Sequence, residues 1–170
     1  MVDLVLLSVR LIVGLGFAAH GAQKLFGLFG GYGLAGTGGY FESQGWKPGK
    51  VFAAAAGAAE FVGGLLVAFG LFGPIGPMFV IATMIVAISV HWPAGFFGQN
   101  GGYELALLYA LFGVAFAFIG FGAYSIDAIG GLQTFFTPLV DGVAVVVGII
   151  GGLANAALRR KPAPVPAPGS

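Results

Sequence analysis

Arg10, His20, Lys24, Glu60, His91 and Glu104 stand inside or at the ends of long apolar stretches. Charge is costly in hydrocarbon, so ionisable side chains at such depth mark either an internal pairing or a functional site. His20 and Lys24 are four residues apart and share a helix face. Arg10 precedes Lys24 by 14 residues, nearly four helical turns, so one helix is expected to carry a polar stripe from Arg10 to His20 and Lys24. Glu60 falls between Arg10 and His20 in depth, and Arg10 is the expected counter-ion. His91 and Glu104 close one apolar run and open the next, within reach of the same stripe. A histidine and a carboxylate together can hydrogen-bond the carbonyls of a quinone and exchange protons with it on reduction. His20, Lys24, Glu60, His91 and Glu104 are therefore the candidate reactive set, with Arg10, His20 and Glu60 as candidate contacts to a quinone head.

Each residue also has a plain structural reading. A buried Arg10–Glu60 pair would fix helix register, Lys24 would extend to the headgroups, and His91 would sit at the interface beside Trp92. No HExxH or related spacing supports a metal site, and none is expected. His20 and His91 fall toward one end and could flank a haem, but no motif supports one. The chain has no cysteine. That excludes thiolate nucleophiles, disulfide exchange and covalent c-type haem, so no covalently bound cofactor is expected.

The elements that must position these residues are membrane spans. Of 170 residues, 58% are hydrophobic and 8% charged, with mean hydropathy +0.99. A soluble domain carries roughly a quarter charged residues. A net charge of +1 excludes a nucleic-acid binder that works by neutralising phosphates. A span needs about 20 apolar residues, and five candidates occur, at 4–26, 51–72, 75–90, 103–121 and 138–158. The first lacks a basic leader and is read as a retained span rather than a signal peptide. Gly73 and Pro74 form a tight turn, and Pro77 falls in the first turn of the third span. Gly148 and Gly152 form a GxxxG pair suited to close helix contact.

Lys24, Lys47 and Lys50 flank the first loop, and Arg159, Arg160 and Lys161 follow the last span. Asp3, Asp127 and Asp141 fall at the opposite ends. Five crossings place both basic groups on one face, which the positive-inside rule assigns to the cytoplasm, with the C-terminus there. Gly31, Gly33 and Gly36 match a dinucleotide fingerprint, but that motif needs a preceding strand and a membrane span precedes it here. Tyr40, Phe41 and Trp46 suit a short re-entrant or interfacial segment, and the loop at 91–104 is expected to close over the same end. The Pro/Ala segment 161–170 reads as a disordered tail.

The chain resembles the DoxX family of small bacterial membrane proteins. The resemblance runs from Arg10-x₃-Gly14 and His20-Gly21-x-x-Lys24-Leu25 through Gly36-Thr37, Phe41 and Gly45-x-x-Pro48. It continues with Glu60-x-x-Gly63-Gly64-Leu65-Leu66, His91-Trp92-Pro93-x-Gly95-Phe96-Phe97, Gly101-Gly102-Tyr103-Glu104 and Gly122-x-Tyr124-Ser125-Ile126-Asp127. It implies an all-α integral membrane fold with a four-helix transmembrane core over 1–127. Residues 128–160 would extend that core with a connecting segment and a fifth, C-terminal transmembrane helix. It also implies a bacterial cytoplasmic (inner) membrane location and a role as a quinone-linked oxidoreductase component of the thiosulfate:quinone type. Expected partners are membrane lipids and either other membrane subunits or further copies of the chain; no nucleic acid is expected. The competing reading is a non-catalytic subunit that stabilises a larger membrane complex through the small-residue faces at 53–59 and 148–152. A small transporter is a third, disfavoured by the short chain and the lack of an inverted repeat.

Overall fold

In a computed structural model, which describes residues 1–160, the five apolar runs become five helices that traverse one bundle in alternating directions. They are α1 (Val2–Phe26), α3 (Gly49–Phe69), α4 (Ile75–His91), α5 (Glu104–Ile119) and α7 (Pro138–Ala157). The short helices α2 (Gly33–Ser43) and α6 (Ile126–Ile129) cap opposite ends, and the described residues contain no strand. The expected tail at 161–170 lies outside the described residues.

Four helices are long and apolar enough to cross a membrane. The exception, α5, has 16 residues, about 24 Å at 1.5 Å per residue. It still runs from one end of the bundle to the other: Tyr103 stacks on Trp92 at its start, and beyond its end the Ala123 N–H donates to Asp3 at 2.9 Å. Large apolar side chains cover the outside, among them Ile12, Leu108, Leu111 and Ile150, each more than half exposed. Such a surface is anomalous in water and expected in lipid.

Without a hydrophobic driving force between helices in lipid, close packing of small residues holds the bundle. On α1 and α3, Gly14 and Gly21 oppose Gly64 and Gly57. A Cβ at Gly14 would stand 2.7 Å from the Gly64 carbonyl oxygen, and one at Gly21 would stand 2.6 Å from that of Gly57. The Gly148–Gly152 pair seats α7 on α4, where added Cβ atoms would meet the Met78 and Ala82 carbonyls at 2.8 and 2.7 Å. Ala53 and Gly57 are likewise buried within the chain. Ala53, Gly57, Gly148 and Gly152 of the small-residue faces are thus taken up by internal contacts, while Ala55, Ala58 and residues 149–151 stay exposed.

This seam sets the register of α1 against α3. Leu25 and Lys24 abut Gly57, so α1 ends level with a point eight residues inside α3, about 12 Å from its start. Helix α2 packs into the space left beyond α1. Its approach uses Gly27 and Gly33, with φ of 73° and 62°, a region that side chains with a Cβ rarely adopt. Gly31 and Gly33 therefore serve a helix–helix turn with no strand before it, and Gly36 lies within α2. The α1–α3 register also places Lys24 well inside the bundle.

Side-chain anchors fix the two opposite ends of the bundle. Asp127 accepts from the Phe72 and Gly73 N–H groups at 2.9 and 2.7 Å, pinning the α3–α4 turn to α6 at one end. At the other, Arg159 donates to the Gln44 carbonyl and side chain and to the Ser89 carbonyl, and lies over the Trp46 ring. Trp46, expected at the interface, is instead 1% exposed and donates to the Asn155 carbonyl at 3.0 Å. It is a core residue that locks the end of α7 onto the α2–α3 turn.

Candidate functional site

Glu60 projects from the middle of α3 and is buried, and its ion-pair partner is Lys24 of α1. The expected Arg10–Glu60 pair does not form. Arg10 lies level with Ala68, eight residues beyond Glu60 on α3, about 12 Å along the axis. It donates to the Ala68 and Tyr124 carbonyls, both at 2.7 Å. Ala68 lies in the last turn of α3, where carbonyls lack helical partners, so Arg10 acts as a C-terminal cap that ties in the α5–α6 turn. Arg10 is therefore at the far end from the polar cluster, away from the candidate quinone-contact set in which it was expected.

His20, Lys24, Glu60 and His91 do come together, as lining of a cavity of about 530 Å³ between α1, α3, α4, α5 and the loop after α4. Phe17, Met84 and Ala106 supply apolar wall, and Gly98, Gly101 and Gly102 form the loop side. The histidine tautomers follow from their partners. His91 Nδ1 lies 2.8 Å from the Gly101 carbonyl oxygen, which can only accept, so Nδ1 carries the hydrogen. His20 Nδ1 lies 3.1 Å from Gln23 Oε1, while Gln23 Nε2 donates to the Phe29 carbonyl. In the neutral form both rings therefore keep Nε2 as a free acceptor. Among the described residues no three His, Asp or Glu side chains group at metal-binding distance.

Glu104 does not line this cavity. Its Oε2 accepts from the Gly98 N–H at 2.9 Å, and the Tyr103 and Glu104 N–H groups bond back to the Gly95 and Phe96 carbonyls. With Trp92 stacked on Tyr103 at 5.0 Å, this fixes the loop that walls the cavity. Glu104 is a positioning residue for that loop.

Two contributors escape the sequence reading. Tyr109 lines the cavity, 5.6 Å from the Phe17 ring and 6.4 Å from His20 between ring centres. Its signal is that it bears the sole hydroxyl within α5. Asn155, the sole amide within α7, lines a second cavity against Lys24, Glu60 and His91.

Fold and site define a multi-pass α-helical membrane protein with a polar ion-pair cluster buried toward one end of its bundle. The DoxX family model matches residues 5–92, just over half of the chain, and the chain belongs to that family. The match takes in Arg10, His20, Lys24, Glu60 and His91 and ends before α5. Comparisons with curated proteins and with solved structures return no match.

Proposed function

We propose that this chain is a membrane subunit of a quinone-linked oxidoreductase, of the thiosulfate:quinone type that its family suggests. The observation that carries the reading is the convergence of Lys24, Glu60 and His91, from three different helices, on cavities walled mostly by apolar side chains. Few polar groups converging in an apolar recess is the usual pattern of a site for a largely apolar ligand. In this reading Lys24 donates to a quinone oxygen and Glu60 holds Lys24 in place. The free Nε2 atoms of His20 and His91, with the Tyr109 hydroxyl, carry protons between the site and the loop-side end. Electrons come from a donor in direct contact or from a partner subunit. The shared end of the two basic clusters supports a cytoplasmic C-terminus in a bacterial inner membrane.

Native mass spectrometry of the chain gently extracted from its own membrane tests the proposal. The expected result is one quinone per chain, lost in Glu60→Gln while the mass and helicity of the protein persist. A quinone-free chain recovered in fixed ratio with a larger complex would replace this reading with the non-catalytic one.

A further inference from the structure

A cavity of about 570 Å³ lies at the other end of the bundle, where α1 and α7 begin and α5 ends. Asp3, Asp127 and Asp141 line it, and no basic side chain does. The fold accounts for two of these carboxylates. Asp127 accepts the Phe72 and Gly73 N–H groups, one on each oxygen, and Asp3 accepts the Ala123 N–H on one of its two. Asp141 differs. It is only 8% exposed, yet its carboxylate accepts no hydrogen bond among the described residues. A place in the first turn of α7 suits an acidic group, but Thr137 already caps that helix, and a buried charge without a partner is costly.

Two further features of the cavity favour positive charge. The Gly120 N–H closes the last turn of α5 onto the Phe116 carbonyl, and the Ala117, Phe118 and Ile119 carbonyls accept no hydrogen bond among the described residues. These three residues line the cavity, which thus meets the negative end of the α5 dipole. Phe116, Phe121 and Phe136 are also among its walls, and aromatic faces attract cations. Arg10 lies nearby but is engaged with the Ala68 and Tyr124 carbonyls and does not line the space. The three carboxylates do not group as the ligands of a metal ion. The volume is that of a site for a small organic molecule.

We infer that this cavity binds a primary ammonium group with Asp141 as its counter-ion. The ammonium donates to the Asp141 carboxylate, and the free oxygen of Asp3 and the α5 carbonyls accept its remaining hydrogens. Such a group comes either from a soluble amine or from an aminophospholipid headgroup, because the cavity lies at the end of the bundle, at headgroup level. The site is separate from the Lys24–Glu60 cluster and stands or falls independently of the quinone-linked reading.

Calorimetric titration of 2-phenylethylammonium into the full chain in phosphatidylcholine nanodiscs, corrected with empty nanodiscs, tests the inference. Saturable binding is expected, weakened about tenfold or more in Asp141→Asn, which keeps the shape and removes the charge. Asp141→Glu, which keeps the charge, is expected to retain binding, and Glu60→Gln at the far end to leave it unchanged. The neutral counterpart 2-phenylethanol is expected not to compete. Nanodiscs that also contain phosphatidylethanolamine separate the two sources: a lower apparent affinity there assigns the site to the headgroup, and an unchanged one assigns it to a soluble amine. No saturable binding by the wild-type chain, equal affinity in Asp141→Asn, or full competition by 2-phenylethanol would overturn the inference.

Discussion

Lys24 and Glu60 are unequal partners, and the inequality makes a quantitative prediction. The side chain of Lys24 is 27% exposed and that of Glu60 only 6%. Lys24 is the one hydrogen-bond partner of the Glu60 carboxylate among the described residues. Lys24→Met leaves that carboxylate buried and unpaired, a defect that costs about 3–5 kcal/mol. Glu60→Gln keeps an acceptor oxygen of the same shape, and the more exposed Lys24 can turn toward water. The loss is then one charge-assisted hydrogen bond partly replaced, about 1–2 kcal/mol. Lys24→Met should therefore be the worse substitution by about 2 kcal/mol, a factor of roughly 30 in the unfolding equilibrium. The double variant Lys24→Met/Glu60→Gln should recover most of that difference, because no charge remains buried, giving a coupling of about 3–4 kcal/mol. Unfolding of the purified protein in mixed micelles, followed by helicity, measures all four states of the cycle. Equal losses in the two single variants, adding without coupling in the double, would refute the buried-carboxylate argument.

Two further outcomes follow from the packing. Gly21→Ala should destabilise the bundle by about 1–3 kcal/mol, since the new methyl meets α3 backbone that cannot move aside. Gly151→Ala, with open space at the same distance, should be neutral or slightly stabilising by the same micelle assay. Arg10→Met removes two charge-assisted bonds at the far end, worth about 1.5–3 kcal/mol each before relaxation, and should lower stability clearly. Quinone affinity of the protein that remains folded should be unchanged in Arg10→Met nanodiscs, and a matching loss of affinity would reinstate Arg10 at the site.

The membrane helices were legible because each apolar run is about as long as hydrocarbon is thick, and boundaries shifted by only a few residues. The Gly148 and Gly152 contact could be read from spacing, as could the placement of Asp127 and Arg159 at opposite ends. The partner of Glu60 could not. Depth arithmetic on separate helices assumes that each spans the full thickness, which places Lys24 at the membrane edge and Arg10 nearer Glu60. In the folded chain Gly14 and Gly21 lock against Gly64 and Gly57, so α1 stops short of the start of α3 and α2 takes up the remaining space. That register depends on which of 32 glycines face one another, which composition does not reveal. Trp46 misled for a related reason: aromatic residues favour the interface on average, but this one is needed beneath Arg159 to hold α7. Tyr109 and Asn155 carried a usable signal, each the single neutral hydrogen-bonding side chain in an otherwise apolar helix. Neither lies near the charged residues in sequence, so their convergence on the ion pair emerged only with the fold.

Photoaffinity labelling with an azido-quinone, followed by peptide mapping, addresses the central claim most directly. Label is expected on α1, α3 and α4 around Lys24, Glu60 and His91, suppressed by excess unlabelled quinone. Label confined to the opposite end, around the cavity that Asp3, Asp127 and Asp141 line, would contradict it.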